Sequence, residues 1–386
     1  MATSQKIKVV CRIRRKAEDE EDSTENGYTF PDDKSLLHTS SGKVYTFDKL
    51  FGANASQLEV YNDVAKPIVT GVFNGFNGTI LAYGQTSSGK TYTMEGDVTN
   101  EEKYGIIPRV AQDIFNRTES LQNSKYEIKI SFYEIYLEKI RDLFNDSQKA
   151  NLKVYDDKKS LPFIVGGKEI SVTNVNEIMD LFTKAKLKRH VAATDMNELS
   201  SRSHTIFQIV IKQENFTTRK KLIGKLLLVD LAGSEKVSHK DQVDSTVKRE
   251  STHINKSLSA LTRVISLLSE GSKAVVFYRD SLLTRLLKES LGGNSQTAII
   301  VCVDPSFENE TKLSLDFGNR AKVIQNNIHL NEKYCGSKLS RFLGRFLPKN
   351  DVYLKEFVSE LKRWRNGKFF FLLICYFDLC IFMIYQ

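Results

Sequence analysis

The sequence is poor in cysteine and proline, with five and six in 386 residues, and it holds one tryptophan. Cys11, Cys302, Cys335, Cys375 and Cys380 form no C-x-x-C pair, and none sits beside a histidine at metal-ligand spacing. So scattered and odd a set excludes a disulfide framework and a zinc site as organisers of the fold, and it fits a reducing cytosol. The opening residues, MATSQKIKVV, lack the apolar core of a signal peptide, which argues against secretion. Internal repeats are missing, and no linker divides the first 325 residues, which read as one large domain. Long apolar runs are absent until Phe369 to Tyr385, where Asp378 alone interrupts a stretch at the lower edge of bilayer-spanning length.

What is present is ordinary for a globular protein, with 41% hydrophobic and 27% charged residues. The excess of 56 Lys+Arg over 47 Asp+Glu gives a net charge of +9 and favours an acidic partner: nucleic acid, an anionic membrane or an acidic protein surface. Short runs rich in Val, Ile and Phe predict strands at Ile7–Ile13, Thr79–Tyr83, Ile128–Leu137, Ile206–Ile211, Leu222–Val229 and Ala298–Val303. Helical spacing lies between them, as in Gln57–Phe73 and Ile254–Leu268. This alternation predicts an α/β fold with a central, mostly parallel or mixed sheet flanked by helices on both faces. The acidic stretch Glu18–Glu25 reads as a solvated loop.

One strand, Thr79–Tyr83, runs into Gly84-Gln85-Thr86-Ser87-Ser88-Gly89-Lys90-Thr91, the pattern G-x-x-x-x-G-K-[ST]. Its glycines let backbone amides curl round a phosphate, Lys90 brings a positive charge to the β and γ groups, and Thr91 offers a hydroxyl to Mg²⁺. The helix that follows aims its N-terminal dipole at the same group. A second apolar strand, Leu226-Leu227-Leu228-Val229, ends in Asp230, an acid placed to hold a metal's water shell. Alone, such an Asp is more often a plain strand terminus; beside the loop at 84–91 the metal reading is the better one.

The loop at 84–91, the segment Asn197-Glu198-Leu199-Ser200-Ser201-Arg202-Ser203-His204 and the segment Asp230-Leu231-Ala232-Gly233-Ser234-Glu235 resemble the P-loop, switch I and switch II of the kinesin motor family, in its order and approximate spacing. Tyr133-Glu134-Ile135-Tyr136, Ile254-Asn255-Lys256-Ser257-Leu258, Tyr278-Arg279-Asp280-Ser281 and Phe317-Gly318-Asn319-Arg320-Ala321-Lys322 extend the resemblance over roughly residues 5 to 325. The wording around the P-loop is most similar to conventional kinesin heavy chains.

That resemblance implies a cytoplasmic, microtubule-dependent ATPase motor using ATP and Mg²⁺, with plus-end-directed movement. It implies that Gln85, Thr86, Ser87, Ser88, Gly89, Lys90 and Thr91 hold the phosphates, and that Arg12, Arg14 and Tyr92 hold the base. Thr91, Ser201 and, through water, Asp230 would serve Mg²⁺. Asn197, Ser201, Arg202, Gly233 and Glu235 would form the catalytic set, with Gly233 sensing the γ-phosphate and Arg202 pairing with Glu235. Serine-rich loops usually serve as turns, and an Arg–Glu pair usually only ties two loops, so these roles rest on the complete motif set. The base strand departs from the family: R-x-R-P is usual, and Arg12-Ile13-Arg14-Arg15 has arginine in place of proline.

The acidic partner implied is the microtubule, met by Lys139, Arg141, Lys236, Lys256, Arg279 and Arg285. Leu282 and Thr252 stand where conventional kinesins usually carry lysine, so weaker microtubule binding is expected. Nothing resembles a nucleic-acid reading module. A non-motile, nucleotide-dependent microtubule binder is the rival reading.

Residues 326–367 would hold a neck linker, Gln325–Asn331, and a short neck helix. Leu354, Phe357, Leu361 and Trp364 keep a coiled-coil spacing over about two heptads, too short for a stable dimer. Packing on the motor core is an equal alternative, and a homodimer would need a stalk that this chain does not include. Residues 368–386 read as a membrane anchor, a packed helix or translated sequence foreign to the natural protein, the last being preferred.

Overall fold

A computed structural model describes residues 3–15, 27–120, 124–145, 152–158, 160–194, 199–216, 220–235, 245–271 and 275–334, with backbone only at 190–194, 199–200, 245–255 and 333–334. Asn197, Lys236, the expected neck helix and the apolar run at 369–385 lie outside these residues. One compact unit spans Met1–Tyr334.

Its centre is a ten-stranded sheet. The strand Gly78–Tyr83 lies in the middle, hydrogen-bonded in parallel to Lys220–Asp230 on one side and Gln296–Val303 on the other. Beyond Gln296–Val303 come Lys8–Ile13 and Lys49–Phe51, again parallel. Beyond Lys220–Asp230 the sheet turns antiparallel, through His204–Asn215, Ser124–Tyr136 and Ile170–Val172. Each strand expected from the sequence lies in this sheet, and the mixed parallel character is as expected. Leu137, placed at a strand end by its hydrophobicity, instead takes a φ of 51° in the turn to Lys139–Asp142.

The central strands are apolar throughout because both faces are covered. Ile80, Ala82, Leu226, Leu228 and Ile300 pack on one face, against side chains from Gln57–Phe73, Ile106–Ser120 and Val175–Thr194. Their odd-numbered neighbours Leu81, Tyr83, Leu227 and Val229, with Ile299 and Val301, meet Ser245–Ser269, Leu282–Leu286 and Glu308–Ala321 on the other. This is the period-two alternation of a pleated strand, with both phases buried. On the first face Phe132 stacks on Phe182 at 5.3 Å and meets the edge of Phe207 at 5.3 Å, holding Val175–Thr194 to the sheet.

The expected helix at 57–73 is interrupted: α-helical turns at Gln57–Val60 and Lys66–Phe73 enclose a π-helical stretch, Tyr61–Ala65. Pro67 has no N–H to donate to the carbonyl of Asp63 four residues back, which accounts for the wider turn. Lys8 Nζ donates to that carbonyl at 2.7 Å and to the Asp63 carboxylate at 2.7 Å.

From residue 325 to residue 334 the chain stays on the core. Gln325–Ile328 pairs antiparallel with Thr3–Lys6, and Glu332–Tyr334 pairs with Lys220–Leu222 on the sheet. Between them the Asn331 N–H donates to the Gly75 carbonyl at 2.9 Å. Asn326, buried, donates from Nδ2 to the carbonyls of Ser290 (2.9 Å) and Ser295 (2.7 Å) and accepts from the Gly292 N–H (2.7 Å). The segment expected as a linker is therefore laid down on the core as strand.

Candidate active site

Parallel strands on both sides of Gly78–Tyr83 open a crevice at their C-terminal ends, where ligands bind in open α/β sheets. Residues 84–91 turn there, and the turn is possible because Gly84 and Gly89 take φ of 151° and 92°. A Cβ at Gly84 would strike the Cys302 carbonyl oxygen. Ser87 also has positive φ, 62°, a conformation that non-glycine residues adopt at a cost and that is found at ligand sites.

The Lys90 ammonium is buried and donates to the Gln85 carbonyl at 2.6 Å. Burial pulls its pKa below that of a free lysine, opposed by Asp230, Cys302 and Glu235. A cation held this deep is stabilised by an anion brought to the loop. Opposite it, the Asp230 carboxyl is buried and pushed upward by burial, with Lys90 opposing. Asp230 Oδ2 accepts from the Thr91 hydroxyl at 2.7 Å, and Oδ1 is buried with no hydrogen-bond partner among the described residues. An orphaned carboxylate oxygen beside a threonine hydroxyl fits the shell of a hard divalent cation such as Mg²⁺.

The 230–235 segment closes on this loop, and the 199–204 segment closes on the 230–235 segment. The Gly233 N–H donates to the Ser201 carbonyl at 2.9 Å, and the Ser234 N–H donates to the Gly84 carbonyl at 3.1 Å. Glu235 Oε2 accepts from the Thr86 N–H at 2.7 Å, and Oε1 accepts from the Thr86 hydroxyl. Glu235 thus engages the P-loop, and no ion pair with Arg202 is among its contacts within the described residues. His204 reaches both sides of this arrangement: Nδ1 accepts from the Ala232 N–H at 3.0 Å, and Nε2 lies 2.8 Å from the Ser257 hydroxyl. Burial pushes its pKa down to about 3, so the ring is neutral and Nε2 carries the proton given to Ser257.

A cleft of about 750 Å³ runs from Ser87–Thr91 to Arg12–Arg15 and Tyr92, a size suited to a nucleotide. Arg12 and Arg14 line it, but their guanidinium groups are engaged. Arg12 donates to Gln57 Oε1 (2.8 Å) and Thr93 Oγ1 (2.9 Å) and lies 5.3 Å from the Tyr92 ring centroid; Arg14 pairs with Asp304 at 2.8 Å. Gln85 and Thr86 do not line the cleft and instead face Lys90 and Glu235. The 53–57 loop does line it and was missed in the sequence, where it carries no motif.

The chain matches the kinesin motor domain family over residues 9–324. It belongs to the kinesin motor family. This kinesin is 50% identical to kinesin heavy chain of Drosophila melanogaster over 371 residues, 94% of this chain and 38% of that protein. Against human kinesin-1 heavy chain the identity is 49% over 369 residues, with 94% and 38% covered. The kinesin chain thus spans well under half the length of these relatives. A solved structure of a fast kinesin, titled for its ATPase mechanism and interactions with microtubules, aligns with a TM-score of 0.78 and 39% identity, covering 90% of this chain and 98% of that one. Because 94% of the chain is matched, the alignment with the heavy chain runs past residue 332.

The basic residues expected to face a partner gather in part. Arg279 and Arg285 reach one carboxylate, Asp156, at 2.7 and 3.0 Å, and Arg285, then Arg279, hold that carboxyl below the usual carboxylate range. Lys256 and Arg279 line a shallow depression together with Arg263 and Asp280. Arg263 was missed in the sequence, although it lies seven residues, about two helical turns, after Lys256. Lys139 is exposed, and Glu138 beside it accepts from the Leu282 N–H at 2.8 Å, which brings the 137–139 turn to the same neighbourhood. Arg141 lies over the Tyr136 ring at 5.2 Å and 3.6 Å from the buried Glu134. Glu134 also accepts from Ser203 (2.8 Å) and Arg189 (3.2 Å), a buried link between Arg141 and the switch I segment that no sequence pattern announced. Among the described residues no helix is long and apolar enough to cross a membrane.

Proposed function

We propose that this chain hydrolyses MgATP in a microtubule-stimulated cycle and moves along microtubules, toward the plus end. The observation that carries the reading is the buried Lys90 in a loop held by the 230–235 segment through Glu235–Thr86 and Ser234–Gly84 contacts, with the Ser201 carbonyl in turn holding the Gly233 N–H. In this reading residues 86–91 bind the triphosphate, and Lys90 neutralises its β and γ groups. Thr91, Ser201 and Asp230 would hold Mg²⁺, which when bound offsets charge on the phosphate oxygens. A γ-phosphate is read by the Gly233 amide, which would exchange the Ser201 carbonyl for a phosphate oxygen. Glu235 would leave Thr86 in the same step, pair with Arg202 and relay a proton through water.

Partner binding uses Lys139, Arg141, Lys256, Arg279 and Arg285 against the acidic microtubule surface, in the cytoplasm. Movement follows from residues 325–334, whose strand pairing on the core would form and break with the state of the switches. Dimerisation would rest on a stalk beyond this chain.

Microtubule-stimulated ATPase measured alongside filament gliding tests the proposal. Stimulation with gliding is expected, and Lys90→Ala should lower turnover by at least about a hundredfold. Stimulation without gliding would favour the non-motile binder, and stimulation by nucleic acid alone would overturn both.

A further inference from the structure

Glu134 is buried near the end of the strand Ser124–Tyr136, and the sheet sets it between two neighbours of different kinds. Register pairs it with Arg141 on one side and, on the other, with Thr205, two residues after Ser203. Its Oε1 accepts from the Ser203 hydroxyl at 2.8 Å and from Arg189 Nε at 3.2 Å, and Arg189 Nη2 donates in turn to the Ser203 oxygen at 3.0 Å. Its Oε2 lies 3.6 Å from Arg141 Nη1, and the Arg141 side chain is 41% exposed against 2% for Glu134. One buried carboxylate is thus shared between a half-exposed arginine and the segment that holds Gly233. We infer that Glu134 is a positioning residue through which a partner's hold on Arg141 reaches the 199–204 segment and sets the rate of hydrolysis. The inference rests on the microtubule-stimulated ATPase reading and on Arg141 meeting the acidic partner.

The argument is one of shared charge. A carboxylate taken out of water is held by the cations and donors around it, and withdrawing one of them raises the demand on the rest. The Arg141 contact is the longest of the three and the most exposed, so it is the one that an acidic surface can take. Once Arg141 turns to the partner's carboxylates, Glu134 keeps Arg189 and Ser203, and its pull on both increases. Ser203 does not respond alone: the Ser201 carbonyl, two residues before it, accepts the Gly233 N–H, and His204, next to it, accepts the Ala232 N–H. The pull is therefore delivered to the same Ser201–Gly233 contact that a γ-phosphate would exchange for its own oxygen.

Steady-state ATPase of the full chain, with and without polymerised tubulin, gives the test, because it separates turnover at saturation from the microtubule concentration that half-saturates it. Arg141→Ala releases Glu134 as a partner would, so turnover without microtubules should rise about threefold or more. Arg141→Lys keeps a cation opposite Glu134 and should show much less of that rise. Glu134→Gln keeps an acceptor for Ser203 and loses the charge, so saturated turnover should fall about five- to tenfold while the half-saturating microtubule concentration moves by less than about twofold. In the Glu134→Gln background, Arg141→Ala should no longer raise the basal rate, the non-additivity of residues that act through one another. The inference is overturned if Arg141→Ala leaves the basal rate unmoved, if Glu134→Gln lowers basal and saturated turnover by the same factor, as a plain structural role would, or if the two effects add. Should Glu134→Gln fold poorly, the comparison of Arg141→Ala with Arg141→Lys decides alone. A wild-type chain that microtubules do not stimulate would instead sink the motor reading itself, and the inference with it.

Discussion

The Thr91 hydroxyl donates to Asp230 Oδ2 at 2.7 Å, joining the last residue of the phosphate loop to the end of the neighbouring parallel strand. The contact follows from sheet register: Asp230 is paired with Ala82, so the two strands end side by side and their following residues meet over the same crevice. Among the described residues Oδ1 is buried and has no hydrogen-bond partner, which is why the proposed function assigns Asp230 to a divalent cation.

Asp230→Asn removes this charge and should make nucleotide retention nearly independent of magnesium. In the wild-type chain a chelator should speed ADP release by about tenfold or more, as expected when an outer-shell partner of a metal matters. In the variant, release should already be fast and change little on chelation. Stopped-flow release of a fluorescent ADP checks this, and a wild-type-like response in Asp230→Asn would count against the metal assignment.

Asp156 holds Arg279 and Arg285 at once, so it withholds two cations from an acidic partner. Asp156→Ala should tighten microtubule binding about two- to fivefold at low salt and steepen its salt dependence. Co-sedimentation at two ionic strengths reads both effects. Weaker binding would mean that Asp156 serves to aim the arginines.

Removing Asn326 takes away the side chain that fixes the 325–334 segment from beneath. Asn326→Ala takes the Asn326 donor from the Ser295 carbonyl and the Asn326 acceptor from the Gly292 N–H, a cost of about 1–3 kcal/mol for such groups, while the Ser290 carbonyl keeps the Thr297 hydroxyl. A spin label at Leu330, exposed between the strands Gln325–Ile328 and Glu332–Tyr334, should become mobile in the variant. An immobile label would show that strand pairing with Thr3–Lys6 suffices.

The neutral His204 makes stability fall with acid. Its pKa is about 3 in the folded chain against 6.5 for a free imidazole, so the unfolded state takes up the extra proton between these values. The contribution is complete above about pH 6.5 and is lost as pH falls toward 3, at about 1.4 kcal/mol per pH unit. His204→Asn, whose side-chain oxygen can take the Ala232 N–H, should flatten the pH dependence of urea unfolding over this window. Equal slopes in the two proteins would contradict the assignment.

The turn at residues 84–91 was legible because the glycines that let its backbone take φ of 151° and 92° are visible in a sequence. The central strands were legible for a similar reason: burial on both faces leaves an apolar run with no polar alternation. The partners of long side chains were hidden. Arg12 and Arg14 read as ligands for a base, and the fold ties their guanidinium groups to Gln57, Thr93 and Asp304. The π-helical turn before Pro67 was foreshadowed only by the proline itself.

By itself the sequence determined the family, the positions of the central strands and the glycine-rich loop, since each depends on residues adjacent in the chain. Tertiary structure decided the rest: that Glu235 rests on Thr86, that Asp156 gathers two arginines from more than a hundred residues away, and that Gln325–Ile328 and Glu332–Tyr334 lie as strands on the core. These are meetings between distant segments, set by how the sheet stacks and where its strands end, and local pattern carries no record of them.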